Sequence, residues 1–151
     1  MRKLVDWQGG GPLLVEDDGT GNGMICLHGL GGGSYFFSGL SKAIRSSRRV
    51  VSFDMPGTGF NEGCVDTFSI DACVNATVEL IDQMSPDSVT LLGHSMGTIV
   101  ALKAYAMRPE KVHALIFSGG LPEPVRAIRE KLNGRIEKIS KSGMQGIGEE
   151  A

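Results

Sequence analysis

The stretch Val89-Thr90-Leu91-Leu92-Gly93-His94-Ser95-Met96-Gly97 decides the fold. Its first four residues are an apolar run of strand character, and from Met96 to Met107 the chain continues as a helix-like stretch of small and apolar residues. Between them lies G-x-S-x-G, in the strand-to-helix setting that the pattern requires. A serine hydroxyl is a poor nucleophile until it is held clear of its own backbone and beside a base, and so sharp a turn does the first of these. Side chains at 93 and 97 would collide across the turn, which is why both are glycine. Ser95 is therefore the first candidate nucleophile, with Gly93 and Gly97 as its supporting turn.

Working outward, Met24 to Leu27, Val50 to Phe53 and Val112 to Phe117 are further continuous apolar runs, as expected of parallel strands covered on both faces. Ser34, as N-cap, opens a predicted helix to about Ser46 with Phe36, Phe37, Leu40 and Ile44 on one buried face. A second helix is predicted from about Ser69 to Met84, with Ala72, Ala76, Leu80 and Met84 at intervals of four, until Pro86 and Asp87 turn the chain. Val5 to Trp7 and Pro12 to Glu16 read as a short hairpin. Strands alternating with helices predict an α/β fold, mostly parallel, with right-handed crossovers and helices on both faces of the sheet.

Past Gly119-Gly120 the character changes. Pro122 and Pro124 interrupt the chain, and Val125 to Ser142 mixes both signs of charge with Ile128, Leu132, Ile136 and Ile139 on one face. This predicts a sheet-bearing part over 1–121 and a separate helical part over 122–151, packed on the sheet, with Gly134 dividing the helix in two. Glu130 and Glu137 interrupt the lysines and arginines, which argues against a nucleic-acid role for this segment.

The 151 residues suit one ordinary domain, 41% hydrophobic and 21% charged, able to bury a real core. A net charge of −2 argues against a general role on nucleic acid or anionic membrane and favours small neutral or weakly charged partners. Cys26, Cys64 and Cys73 are odd in number and lack C-x-x-C pairing, so neither a disulfide framework nor a zinc site is expected. No apolar run serves as a signal peptide or reaches the roughly 18 residues of a membrane span, and a reducing, cytoplasmic setting is expected. The glycines cluster at turns rather than repeating.

Acyl transfer needs a nucleophile, a base, a group that orients the base, and donors aimed at the developing oxyanion. The N–H of Met96, at the start of a helix, is one such donor. The loop His28-Gly29-Leu30-Gly31-Gly32-Gly33 follows an adjacent strand, and the N–H of Leu30 is the candidate for the second. His28 and Gly29 belong to the supporting geometry. No metal or organic cofactor is implied.

Three segments in order, His28-Gly29-Leu30-Gly31, Asp54-Met55-Pro56-Gly57-Thr58-Gly59 and Gly93-His94-Ser95-Met96-Gly97, resemble the α/β-hydrolase superfamily over about residues 1–120. Members show an HG-x oxyanion segment, a D-x-P-G-x-G turn and the G-x-S-x-G elbow. The resemblance implies a serine esterase or lactonase acting on a small ester or lactone, similar to 3-oxoadipate enol-lactonase. Arg135-Ile136 followed by Gly143-Met144 is similar to the start of that group's helical lid. Asn61 stands where many relatives carry serine, with no catalytic consequence expected. The same elbow also serves perhydrolysis, carbon–carbon cleavage and acyl transfer, so fold does not choose among them.

In the family the acid follows a later strand and the histidine the last, and the chain is expected to stop after about the sixth of eight. Of its three histidines, His28 lies in the oxyanion segment, His94 inside the elbow with its side chain directed away from the nucleophile's pocket in relatives, and His113 at the opening of a buried strand. All three read as structural, and Glu123 as a surface residue. One alternative is a degenerate, non-catalytic hydrolase. A second is a dinucleotide-binding domain, from Gly29-Leu30-Gly31-Gly32-Gly33-Ser34 with Asp54 after the next strand, which Ser34 contradicts at the third glycine. The last strand is expected to leave a sheet edge open to self-association. Phe36, Phe37, Met55 and Met96 are candidates for an apolar pocket, although spacing favours core for both phenylalanines.

Overall fold

The computed structural model describes residues 1–84, 88–120 and 126–142. The chain forms two compact units, Met1–Gly120 and Leu121–Ala151. In the first, strands β1 (Arg2–Val5), β2 (Leu13–Asp18), β3 (Gly23–Leu27), β4 (Arg49–Phe53), β5 (Val89–His94) and β6 (Val112–Ser118) make one sheet in the order β1-β2-β4-β3-β5-β6. The β4-β3-β5-β6 pairs are parallel, and β1 and β2 join antiparallel. Helices α1 (Ser38–Ile44), α2 (Ile70–Met84) and α3 (Met96–Met107) link the parallel strands.

Alternation along the central strands sorts the core into two layers. Ile25 and Leu27 of β3, Val51 and Phe53 of β4 and Leu91 of β5 point to the face that α2 and α3 cover. Met24, Cys26 and Val50 point to the other face, against Phe37 and the half-buried Leu40 and Ile44 of α1. Burial pushes the Cys26 thiol up to about 12 and that of Cys73 to about 11, so both behave as inert packing groups. Ion pairs tie neighbouring elements together. Arg49 on β4, with Lys3 on β1, holds the Asp17 carboxyl at about 2, below its ordinary 3.8. Asp82 of α2 accepts from Arg108 and Lys111 just beyond α3, and its carboxyl is likewise lowered.

The elements differ from expectation in four places. The first strand is Arg2–Val5, and Trp7 instead turns its indole N–H onto the Gly11 carbonyl at 2.7 Å and is buried in the loop. Residues Ser34–Phe37 form a 3-10 turn ahead of α1. With about 120° per residue rather than 100°, the turn buries Phe37 and leaves Phe36 exposed. Strand β6 is not fully covered: His113 is exposed, as are Ile116 and Phe117. In the second unit, α4 (Arg126–Ser142) runs unbroken through Gly134, with an Arg126–Glu130 pair one turn apart. Ile128, Leu132 and Ile136 are exposed on α4. Pro86 and Asp87, Pro122 to Pro124 with Glu123, and Gly143-Met144 lie outside the described residues, as does the side chain of Ile139.

No helix among the described residues is long and apolar enough to cross a membrane.

Candidate active site

Strand β5 delivers Ser95 to the end of the sheet, and the chain turns there so sharply that Ser95 sits at φ 51°, ψ −116°. It is the only non-glycine residue at positive φ among the described residues. Such a conformation costs on the order of 1–3 kcal/mol and persists only where its surroundings over-determine it. They do so here. The Ser95 N–H donates to the Ser118 carbonyl at 2.9 Å, and the Ser95 carbonyl accepts from the Thr98 N–H at 3.0 Å and the Thr98 hydroxyl at 2.6 Å. The flanking glycines are a steric necessity. A Cβ on Gly93 would come 2.7 Å from the Thr98 Cα, and one on Gly97 would strike the Leu27 carbonyl and approach the His28 carbonyl oxygen to 2.9 Å.

The loop after β3 lies against this turn: a Cβ on Gly29 would stand 3.0 Å from the Ser95 Cβ. The loop closes as a β-turn, the Gly32 N–H donating to the Gly29 carbonyl at 3.0 Å with Gly31 at φ +73°. Leu30 occupies the second position of that turn, whose N–H takes no part in the closing bond. The Met96 N–H opens α3 and has no partner within the helix. Gly29, Leu30, Gly31, Gly32, Phe36, His94 and Ser95 line one cavity of about 220 Å³, with no Asp, Glu, Lys or Arg side chain among them.

His28, 1% exposed, braces this loop. Its Nε2 accepts from the Met55 N–H at 2.9 Å, so the ring proton resides on Nδ1 and is donated to the Gly29 carbonyl at 2.8 Å. Both nitrogens are thereby committed, in keeping with a structural role. Asp54 performs a parallel task, its Oδ1 accepting from the Ser34 N–H at 2.6 Å and its Oδ2 from the Phe60 N–H at 2.9 Å. That carboxylate is 7% exposed and fully engaged, and the glycine loop leads into a 3-10 turn rather than a helix N-terminus. The dinucleotide alternative loses both of its contacts.

Two placements correct the sequence reading. His94 is not directed away from the serine. Its ring forms a wall of the same cavity, stacked on Phe36 at 4.5 Å between centroids, with Nδ1 3.3 Å from the Ser118 hydroxyl. Phe36 is cavity wall rather than core, whereas Phe37 and Met55 are core. His113 pairs with the Thr90 hydroxyl at 3.1 Å. Among the described residues no histidine is hydrogen-bonded to the Ser95 hydroxyl.

Asn61 is the residue that sequence reasoning undervalued. It is 1% exposed. Its Oδ1 accepts from the Leu14 N–H at 2.8 Å, and its Nδ2 donates to the carbonyls of Leu14 at 3.1 Å and Asp54 at 2.6 Å. Leu14 pairs with Leu4 of β1 on one side, but the pairing of β2 with β4 ends at Val15↔Phe53, so on its β4 side Leu14 has no strand residue opposite it. The Asn61 amide takes that place, joining the Asp54 turn to β2. An asparagine in a tight loop after a strand, able to copy a peptide group, was the available signal.

The alpha/beta hydrolase fold family model matches residues 23–142. The chain belongs to this family. Alpha/beta hydrolases similar to it include a proline iminopeptidase of Heyndrickxia coagulans, 34% identical over 68% of this chain and 36% of the relative. A pimeloyl-acyl-carrier protein methyl ester esterase of Shewanella woodyi is 32% identical over 73% of this chain and 40% of the relative. The esterase from Exiguobacterium antarcticum superposes with a TM-score of 0.83 at 23% identity, over 97% of this chain and 59% of that one, which shows a shared fold. The chain thus spans less than half the length of the two curated relatives named.

Proposed function

We propose that this alpha/beta hydrolase chain carries the acyl-transfer half of a serine esterase or lactonase, acting on a small, neutral ester or lactone. Ser95 is the nucleophile, and the N–H groups of Leu30 and Met96 are the oxyanion donors. The observation that carries the reading is the conformation of Ser95, strained at φ 51° and presented at the cavity where β5 meets α3. A lining free of Asp, Glu, Lys and Arg and a volume of about 220 Å³ support a small neutral acyl group.

In the proposed reaction the Ser95 Oγ bonds to the acyl carbon while its proton passes to a base, and the alcohol leaves with a proton as the acyl-serine forms. Water then attacks that ester and releases the acid, regenerating the serine. The backbone donors stabilise the negative oxygen in both steps and need no reorganisation to do so. The base and its orienting acid are expected from outside the described residues, since none of the hydrogen bonds of His28, His94 and His113 goes to the Ser95 hydroxyl. That same observation favours a second reading, in which the chain by itself binds acyl compounds without turning them over. The oxyanion geometry is common to both.

A fluorophosphonate probe tests the first reading. The folded chain is expected to label at Ser95 alone, slowly for want of a base, with no label on the Ser95→Ala variant or on chain unfolded in urea. Equal labelling of folded and unfolded chain, or labelling at another serine, would refute Ser95 as nucleophile.

A further inference from the structure

A serine at the N-cap of a helix ordinarily turns its hydroxyl back onto the N–H two or three residues on. Ser95 occupies that position for α3, yet its side chain makes no capping bond. The donors within its reach are the N–H groups of Gly97 and Thr98, and that of Thr98 is already given to the Ser95 carbonyl at 3.0 Å. The Thr98 hydroxyl joins it there at 2.6 Å, so one residue holds the same oxygen twice. Thr98 is 7% exposed, and its own position is fixed from behind, because a Cβ on Gly120 would come within 2.8 Å of both its Cγ2 and its Oγ1.

We propose that Thr98 is the positioning residue of the elbow: by holding the Ser95 carbonyl through its hydroxyl, it keeps Ser95 out of the ordinary N-cap conformation and frees the Ser95 hydroxyl for the cavity. The inference rests on the reading of Ser95 as nucleophile for its chemical meaning, but the clamp exists or fails independently of that reading. Without the hydroxyl, Ser95 is free to relax toward negative φ, where its Oγ would accept from the residue-98 N–H and be spent on the helix. The opposite anchor, Ser95 N–H to the Ser118 carbonyl at 2.9 Å, would then open more often.

Hydrogen exchange followed by NMR on the 151-residue chain reads this opening at the Ser95 amide. Loss of one side-chain hydrogen bond predicts exchange about 3- to 10-fold faster in Thr98→Val. Thr98→Ser, which keeps the hydroxyl, is expected to match the parent within about twofold, and the Ala101 and Ala104 amides of α3 are expected to hold steady in both. Unchanged exchange at Ser95 in Thr98→Val overturns the proposal, as does a rise at Ala101 and Ala104 in step with Ser95, which would mean general loosening of the helix. Should Thr98→Val fail to fold, Thr98→Ser decides alone: faster exchange confined to Ser95 would overturn the proposal, and unchanged exchange would support it. Failure of Ser95 to take the fluorophosphonate would leave these amide measurements untouched, so the two readings fail separately.

Discussion

Asn61→Ser tests most sharply what this chain requires of the loop after β4. The asparagine amide satisfies three backbone groups, the buried Asp54 carbonyl and the part-buried N–H and carbonyl of Leu14. A serine hydroxyl has one proton to give and a shorter reach, so at least one of these groups is left without a partner. Each unsatisfied buried group costs about 1–3 kcal/mol, and the missing amide volume adds a small cavity. The expected loss is about 2–4 kcal/mol, a large part of the 5–15 kcal/mol that stabilises an ordinary domain. Urea unfolding with a common slope measures it directly. Asn61→Asp serves as the companion variant, since it keeps an acceptor for Leu14 N–H but sets carboxylate oxygens against two carbonyls, and it is expected to be at least as destabilising. A loss below about 1 kcal/mol for both variants would refute the account of Asn61 as a surrogate strand residue.

Further outcomes follow from other parts of the fold. Ser95→Gly relieves the strained φ of 51°, and after the entropy cost of glycine it is expected to stabilise the chain by about 1 kcal/mol, read as a Tm higher by a few degrees. Gly97→Ala drives a Cβ into the Leu27 and His28 carbonyls, both backbone, and is expected to lose about 3 kcal/mol or more in urea unfolding. Asp17 has its pKa lowered in the folded state, so its contribution is present above pH 3.8 and is lost as the pH falls toward about 2. With Lys3 38% exposed in that cluster, screening reduces the contribution to about 1–2 kcal/mol. The urea midpoints of the parent and Asp17→Asn should therefore differ at pH 7 and converge near pH 2.

The turn from Val89 to Gly97 is legible in sequence because its demands are local: an apolar strand, a steric need for glycine on either side, and a helix that starts at once. Burial of neighbouring aromatic residues is less so. Phe36 and Phe37 are adjacent, and only the pitch of the 3-10 turn decides which one faces Val50 and which one reaches the cavity. Trp7 has strand composition, but a bond to the Gly11 carbonyl claims it for a loop. Gly134 costs about 1 kcal/mol in a helix, too little to divide one of 17 residues. Asn61 bonds a residue 47 positions away, and His94 at the end of β5 meets Phe36 only because the 3-10 turn packs beside it. Such partners are set by topology, which periodicity does not encode.

A crystal structure of the fluorophosphonate adduct tests the central claim most directly. Phosphorus is expected to be bonded to the Ser95 Oγ, with its phosphoryl oxygen about 2.7–3.1 Å from the N–H groups of both Leu30 and Met96. Phosphorus on another residue, or an oxygen turned away from both amides, would contradict it.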